Sequence, residues 1–194
     1  LDAYDELYAD ARLWLREGWL DYCAPQLYWQ INDKDQSYPV LMQWWHEQNP
    51  KGRHLWPGNN SAKVDPWPAS EIIKQIDLTR KHRGVTGNIH WNVSALVDNR
   101  NNLGTQLITR TYAQPALVPA SKWLNNRPPK APAVFAKWDK ARGMIQINWR
   151  TTEVNPIQWW LFQVKANNRW ISKLMPGQQR MALLRVGKKF PEII

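Results

Sequence analysis

The chain has 194 residues, of which 14 are tryptophan and 14 are proline, and its formal net charge is +10. This length fits one or two domains, and a hydrophobic content of 43% is enough for a packed core, which excludes a disordered chain. No apolar run approaches the roughly 18 residues that span a bilayer, and the sequence does not open with a signal-like pattern. The single cysteine, Cys23, excludes an internal disulfide bond.

Helical and strand patterns alternate along the first part of the chain. Residues 2–17 carry apolar residues at helical spacing and are followed by Gly18, while DYCAPQLYWQ, residues 21–30, is typical of a buried strand. The next predicted elements are, in order, a helix from Pro39, a strand at 53–58, a helix from Pro68 or Ser70 to near Gly84, a strand at 85–91 and a helix over much of 103–112.

The spacing of these strands indicates β/α units. Strands recur about every 30 residues, which is the size of one such unit. Strands that alternate with helices predict a parallel sheet that is buried on both faces. Three units make up about half of a (β/α)8 barrel, which typically needs about 250 residues, and an open doubly wound sheet is the alternative. No Gly-rich phosphate loop is present, so nothing indicates a nucleotide-binding fold. No cofactor is predicted.

The pattern changes after NNRPPKAP, residues 125–132, which has the composition of a linker. Apolar and polar residues alternate at 144–149, and apolar runs at 159–166 and 169–174 predict further strands. A turn at 176–179 precedes RMALLRV, and the final FPEII resembles the start of another strand. Short strands joined by turns predict a β-sandwich, although a sandwich usually takes about 100 residues.

The positive charge lies in the same C-terminal segment. Residues 1–126 contain 13 Lys/Arg and 13 Asp/Glu, whereas residues 127–194 contain 13 Lys/Arg and three acidic residues. A basic segment joined to a neutral one favours an anionic partner, but a solvated basic surface without a partner explains the charge equally well.

YDELYADARLWLREGWLDYCAPQLYW, residues 4–29, resembles the glycosyl-hydrolase-like family 10. The matching positions are Asp5, Ala9, Asp10, Trp14, Gly18, Asp21, Tyr22, Ala24, Pro25, Gln26, Tyr28 and Trp29. Looser matches follow at Tyr38, Leu41, Trp44, Trp45, His54, Leu55, Gly87 and residues 112–123. Two departures, WPGNNSAKV at 56–64 and the pair His90–Trp91, leave the bound sugar open.

This resemblance implies an α/β fold in which residues 1–125 form the C-terminal half of a TIM-type (β/α)8 barrel. Residues 126–194 would form an incomplete, basic, fibronectin-III-like sandwich. The resemblance also implies an exported bacterial glycoside hydrolase of the periplasm or cell envelope, with a polysaccharide substrate such as peptidoglycan glycan strands. The family's Asp-Asp-Tyr strand has no match here, so we expect the catalytic residues outside this chain. Contact with a membrane is expected only through a lipid anchor outside the chain.

Active sites of such barrels lie at the carboxyl ends of the strands. Side chains alternate between faces, so Gln26 and Tyr28 share one face and Trp29 takes the other. We expect Trp56 and Trp91 to end the second and third strands, and Asn60 to follow in a loop. The predicted substrate-binding residues are therefore Gln26, Tyr28, Trp29, Trp56, Asn60, His90 and Trp91. Each aromatic residue in this set is also compatible with a place in the core.

Catalytic and metal-binding groups are harder to find. Glycoside hydrolysis normally uses two carboxylates, and the loop residues Asp33, Asp35 and Asp65 form no obvious pair. His90 has no placed carboxylate, which favours a structural role over catalysis. The four histidines have no ligand-like spacing, so no metal site is predicted.

Two alternatives to an enzyme remain. One is a carbohydrate-binding protein without catalysis. The other is that the basic C-terminal segment docks on an anionic cell-wall polymer, with no nucleic acid expected. The residues that suit such docking are Arg142, Arg150, Lys165, Arg169, Lys188 and Lys189, with Trp159, Trp160 and Trp170. Against docking, the tryptophans alternate as core residues of a sandwich would.

Overall fold

A computed structural model of the chain describes residues 2–166, 169–185 and 192–193. It divides into two units. Unit 1 comprises Leu1–Ala113 and Leu117–Leu124, and unit 2 comprises Gln114–Ala116 and Asn125–Ile194. Across the described residues, no helix combines the length and apolar character that crossing a membrane requires.

Unit 1 has mixed helix and strand content. Its elements are α1 (Ala3–Leu7), α2 (Ala11–Glu17), β1 (Tyr22–Cys23), α3 (Tyr38–Glu47), β2 (His54–Leu55), β3 (Gly58–Asn60), α4 (Ala69–Lys81), β4 (Ile89–Trp91), α5 (Val93–Val97) and α6 (Leu103–Gln106). A π-helical turn, Leu107–Thr111, extends α6, and 3-10 turns lie at Ser61–Lys63 and Arg100–Asn102. The helix predicted at 103–112 is present, whereas α5 was not predicted.

The single helix predicted over residues 2–17 is wrong, because α1 and α2 are separate helices. Tyr8 has left-handed backbone with φ 52° and ends α1. Asp10 then begins α2, and its Oδ1 accepts a hydrogen bond of 2.7 Å from the Leu13 N–H. A side-chain cap of this kind stabilises a new helix start and so breaks the apolar stripe into two. Helix α2 ends at Gly18, as predicted.

The strands of unit 1 are parallel, as predicted. β1 pairs with β2, with Tyr22 opposite His54, and β3 pairs with β4. A parallel bridge between Gln26 and Gly58 links the first strand segment to the second beyond β1. Pro25, which has no N–H to donate, lies between β1 and this bridge, so the strand is shorter than the predicted 21–30.

Helices cover one face of these strands. A first core cluster contains Leu15, Cys23, Leu27, Tyr38, Met42, Leu55 and Val85. A second contains Val64, Ala69, Ile72, Ile76, Leu103 and Leu107. On the other face, Tyr22 is 50% exposed, and Gln26 and Ile89 are also exposed. Burial raises the pKa of the Cys23 thiol to about 11, which keeps it protonated and unreactive.

Unit 2 is built from antiparallel strands. They are β5 (Ala133–Asp139), β6 (Met144–Arg150), β7 (Trp159–Ala166), β8 (Arg169–Pro176), β9 (Met181–Arg185) and β10 (Glu192–Ile193). Two three-stranded sheets form, in the orders β5–β6–β9 and β10–β7–β8. Both sheets contribute to one core of Ile145, Ile147, Trp149, Met175 and Ala182, against which Trp160, Phe162 and Leu184 pack.

Most strand predictions for unit 2 are confirmed. Strand β5 was not predicted. Its residues are nearly all exposed, so buried and exposed positions do not alternate along it. Within FPEII, Glu192 and Ile193 form β10 against β7, and the other three residues lie outside the described part of the chain. Lys188 and Lys189 also lie outside it, so their predicted role in docking is not addressed by the structure.

Candidate functional site

The carboxyl ends of the three strand segments in unit 1 meet at one edge. Gln26 is exposed and bridges to Gly58. The Tyr28 ring lies against the same glycine, since a Cβ on Gly58 would be 3.1 Å from Tyr28 Cε1. Partial burial raises the pKa of the Tyr28 hydroxyl, which therefore stays protonated at neutral pH. The structure thus brings Gln26 and Tyr28 together beside β3.

The next strand pair adds two more of the predicted residues. Asn60, the last residue of β3, lies opposite Trp91, the last residue of β4. Asn60 is half-buried and Trp91 is 56% exposed. Asn60 is therefore in the strand rather than in a following loop. Trp29 is half-buried on the chain leaving β1, where its carbonyl accepts a 3.0 Å hydrogen bond from Gln75 Nε2.

The expected place of Trp56 is wrong, because the second strand segment continues past it to Asn60. Trp56 lies between β2 and β3, where its ring stacks on Tyr22 at 4.5 Å and on His54 at 5.5 Å. Its Nε1 donates a hydrogen bond of 2.8 Å to Thr86 Oγ1. Trp56 therefore belongs to an aromatic stack nearer the amino ends of the strands. A role of Trp56 in substrate binding stays a prediction.

His90 is held by two hydroxyl groups. Its Nδ1 is 2.7 Å from Ser61 Oγ, and its Nε2 is 2.9 Å from the Tyr112 hydroxyl. Burial lowers the pKa of His90 to about 4, and burial raises the pKa of Tyr112 to about 12. A neutral imidazole has one donor and one acceptor nitrogen, and both are used here. His90 is thus suited to fixing the end of β4, and Ser61, which is fully buried, cannot act as a nucleophile.

A buried network of polar side chains lies beneath this edge and was not found from the sequence. Asn59 Nδ2 donates a hydrogen bond of 2.8 Å to Gln75 Oε1, and Asn88 Nδ2 donates one of 2.8 Å to Asn59 Oδ1. The Tyr38 hydroxyl lies 3.0 Å from Thr79 Oγ1. Gln75 and Thr79 are four residues apart and share the apolar face of α4. Polar residues on an apolar helix face are the feature of the sequence that could have indicated this network.

Three carboxylates near the edge make local contacts, those of Glu71, Asp33 and Asp65. Glu71 Oε1 accepts hydrogen bonds from the Ile31 N–H at 2.7 Å and from Gln75 Nε2 at 3.1 Å. Asp33 Oδ1 accepts from the N–H groups of two residues that follow it, and Asp65 pairs with Arg100. Within the described ranges, no group of three or more His, Cys, Asp or Glu side chains is placed to hold a metal ion.

The described side chains at this edge are mostly uncharged polar and aromatic groups. The edge presents amides at Gln26 and Asn60, a phenol at Tyr28 and an exposed indole at Trp91. Amides and hydroxyls exchange hydrogen bonds with polar ligands, and an indole offers a flat apolar surface. This combination suits a ligand that has both hydroxyl groups and apolar C–H surface.

Comparison with known proteins shows that the chain is similar to glycosyl-hydrolase-like proteins. Residues 2–75 match the sequence model of a family described as "Glycosyl hydrolase-like 10", which confirms the resemblance noted from the sequence. The match covers α1 to the middle of α4 and so includes β1, β2 and β3. It does not extend to unit 2, whose likeness to a fibronectin-III module stays a prediction.

Two individual relatives agree with the family. The chain is 40% identical over 154 residues to "Glycosyl hydrolase YngK" of Bacillus subtilis (strain 168), which covers 74% of this chain and 30% of that protein. It is 36% identical over 99 residues to "Glycosyl hydrolase DigH" of Escherichia coli (strain K12), which covers 45% of this chain and 23% of that protein. The chain thus spans less than a third of the length of these relatives.

Proposed function

We propose that the chain is part of a glycoside hydrolase of the bacterial cell envelope and that unit 1 supplies contacts to a polysaccharide substrate. One observation carries this proposal. Gln26, Asn60 and Trp91 come from three consecutive parallel strands and lie at the same carboxyl edge, which is where barrel enzymes bind their substrates. The names of the two relatives, both glycosyl hydrolases, support a carbohydrate as the ligand.

Within this proposal, unit 1 is part of a TIM-type barrel. Three features support it: strands that are parallel and adjacent in chain order, helices on one face, and exposed side chains such as Tyr22 and Gln26 on the other. Parallel sheets are normally covered on both faces. In a barrel, the second face is the interior, where residues from neighbouring strands meet.

Unit 2 is proposed to be a fibronectin-III-like sandwich. Its first, second and fifth strands form one sheet, and its third, fourth and sixth form the other. Immunoglobulin-type sandwiches divide their strands in this way, with A, B and E in one sheet and C and F in the other. The shared core of the two sheets supports the same architecture.

The catalytic carboxylates are proposed to lie outside this chain. Glu71 and Asp33 accept hydrogen bonds and Asp65 forms an ion pair, which argues against a catalytic pair among these three acids. We further propose that the protein is exported to the periplasm or cell envelope and that its substrate is peptidoglycan glycan strands. A lipid anchor would lie in another part of the protein. These statements rest on the family resemblance.

Hydrolysis of glycan strands tests the proposal. We expect a longer protein that includes this chain to release soluble fragments from peptidoglycan glycan strands, and the 194-residue chain alone to release none. Replacing Gln26 or Trp91 by alanine in the longer protein should lower kcat/KM roughly tenfold or more, since each removes a substrate contact. The control is Trp19→Ala, which removes a 68% exposed indole away from this edge.

Three results would count against this assignment. Equal turnover by the 194-residue chain would place the catalytic groups within it. Unchanged kinetics in both the Gln26 and Trp91 variants would remove the edge from the substrate site. Tight binding of glycan strands without any hydrolysis by the longer protein would instead favour the second candidate, a carbohydrate-binding protein without catalysis.

A further inference from the structure

Two histidines lie side by side at the C-terminal ends of helices α3 and α4. His46 is in the last turn of α3, and His82 is the residue that caps α4. Their rings make an edge-to-face contact, with centroids 4.8 Å apart. Sequence spacing did not indicate this pair, because the two residues belong to different helices. The packing of α3 and α4 thus brings together two side chains of a kind that binds metal ions.

One ring nitrogen of each histidine is buried without a hydrogen-bond partner. Nδ1 of His46 and Nδ1 of His82 are both shielded from solvent, and neither has a partner among the described residues. The Nδ1–Cε1 edge of His46 faces the loop after α4, since a Cβ on Gly84 would lie 2.7 Å from Nδ1. Buried polar atoms without partners are rare in folded proteins, and a bound ion is one explanation for them.

The other nitrogen of His82 is oriented by a chain of hydrogen bonds. His82 Nε2 lies 2.7 Å from Gln43 Oε1, and Gln43 Nε2 donates a hydrogen bond of 2.8 Å to Glu47 Oε1. An amide oxygen only accepts, so His82 Nε2 carries the proton and donates it. In the neutral ring, Nδ1 then keeps its lone pair. Metal-bound histidines are oriented in the same way, by donating their other N–H to a carbonyl or a carboxylate.

The spacing of the two rings fits a shared metal ion. Zn²⁺ binds imidazole nitrogens at about 2.0–2.1 Å, so two nitrogens on one ion lie no more than about 4 Å apart. Rings with centroids 4.8 Å apart can each bring one nitrogen within this distance of the other. Imidazole is a ligand of Zn²⁺, Cu²⁺ and Ni²⁺, whereas Mg²⁺ prefers oxygen ligands. The pair therefore suits a transition-metal ion.

We propose that His46 and His82 bind Zn²⁺ or a similar divalent transition-metal ion through their Nδ1 atoms and so join the ends of α3 and α4. In the part of the chain that the structure describes, no third His, Cys, Asp or Glu side chain is placed with them, so water takes the remaining positions. Each helix leads into the next parallel strand, so these helix ends lie beside the amino ends of the strands. The ion therefore stabilises unit 1 at the end opposite Gln26, Asn60 and Trp91.

Titration of the chain with Zn²⁺ by calorimetry tests this inference, and Mg²⁺ is the comparison ion. We expect one Zn²⁺ to bind per chain and Mg²⁺ to give no heat of binding. His46→Gln and His82→Gln should each weaken Zn²⁺ binding roughly tenfold or more, because each removes one of two protein ligands. Arg83→Gln is the control, since Arg83 is exposed beside His82 and carries no imidazole.

Two further measurements separate a shared ion from an effect on folding. Gln43→Ala keeps both histidines but removes the acceptor that orients His82, so it should weaken Zn²⁺ binding roughly tenfold. Zn²⁺ should also raise the urea midpoint of the parent chain, because a ligand that binds the folded state stabilises it. The midpoints of His46→Gln and His82→Gln should respond much less to Zn²⁺, whatever their stability without it.

Three results would overturn the proposal. The first is that the parent chain does not bind Zn²⁺ at concentrations up to about 1 mM, the range of weak association. The second is that Zn²⁺ binding is unchanged in both histidine variants, because the ion would then lie elsewhere on the chain. The third is a loss of affinity in only one of them, because the ion would then not be shared. Glycan hydrolysis does not enter these measurements, so this proposal and the proposed function fail separately.

Discussion

His90 shows how burial decides the chemistry of a single side chain. The sequence places it before Trp91 near a strand end, where a histidine can contact substrate, and the lack of a placed carboxylate favours a structural role over catalysis. The structure places its two ring nitrogens against Ser61 and Tyr112 and lowers its pKa to about 4 through burial. At neutral pH the ring is therefore uncharged, and its role is to join β4 to the 3-10 turn that follows β3.

The lowered pKa predicts a pH dependence of stability. The unfolded chain protonates His90 below about pH 6.5, whereas the folded chain does so only near pH 4. The unfolded state thus binds more protons between these values, and the free energy of unfolding should fall by roughly 3 kcal/mol as the pH drops through this window. Urea unfolding of unit 1, followed at several pH values, measures it.

His90→Gln provides the comparison for this measurement. The amide can accept and donate hydrogen bonds but does not titrate, so the variant should lose most of the fall in stability between about pH 6.5 and pH 4. His54, whose pKa is also lowered by burial, would account for a remaining slope. An identical pH profile in the parent chain and in His90→Gln would contradict the assignment.

At the scale of elements, α4 determines the shape of the candidate site. Its apolar residues Ile72 and Ile76 fill the core, while Gln75 on the same helix accepts from Asn59 in β3 and donates to the Trp29 carbonyl. One helix therefore fixes the position of two strand ends. Both ends carry residues proposed to contact the substrate.

Removing this link should be costly. Gln75→Ala leaves the Asn59 amide and the Trp29 carbonyl without these partners, and Gln75 itself is fully buried. We expect the free energy of unfolding to fall by about 2 to 4 kcal/mol, because unpaired buried polar groups lose their solvation. Chemical denaturation with an unchanged m-value would show it.

Lys74→Ala is the matched control for this variant. Lys74 precedes Gln75 on α4 but is exposed, so its truncation should change stability by less than about 0.5 kcal/mol. If Gln75→Ala were no more destabilising than Lys74→Ala, the buried network would not be holding the strand ends. Reduced glycan binding by Gln75→Ala at temperatures where it remains folded would show that the network also positions the site.

The same elements show which features a sequence of this kind reveals. Helices α3 and α4 and the parallel strand order follow from apolar periodicity and from Pro39 and Gly84, which are local signals. The break between helices at Asp10 and the continuation of the strand beyond Trp56 depend on the relative stability of alternative local contacts. Apolar periodicity carries no information about that difference. Edge strand β5 was missed for the related reason that its residues are exposed on both faces.

In the candidate site, too, some features follow from local sequence and others only from packing. Gln26, Tyr28 and Trp91 could be placed near the carboxyl ends of strands from the sequence, because position along a strand sets which end of the sheet a residue reaches. Their role in binding stays a prediction. Asn59, Gln75 and Thr79 were missed because their hydrogen bonds join residues that are far apart in the sequence. Side-chain pairing of that kind becomes visible only when the elements are packed.

At the scale of the whole molecule, charge and aromatic surface are divided unevenly along the chain. Residues 1–126 are neutral, and the excess of ten positive charges lies in residues 127–194. The edge of unit 1 presents amides and an indole, whereas the excess of basic groups lies in residues 127–194. Salt should therefore affect binding of a carboxylated polysaccharide more than binding of a neutral one.

Raising the salt concentration from about 0.1 M to about 1 M shortens the Debye length from about 10 Å to about 3 Å. The attraction between the basic segment and a carboxylated polysaccharide is screened over this range, so its affinity for the chain should fall roughly tenfold or more. Binding of a neutral polysaccharide should change little, because stacking on aromatic rings and burial of C–H surface do not depend on ionic screening. Pull-down of the chain by insoluble neutral and carboxylated polysaccharides across this range provides the comparison. Equal salt dependence for the two polymers would mean that the net charge of residues 127–194 takes no part in recognition.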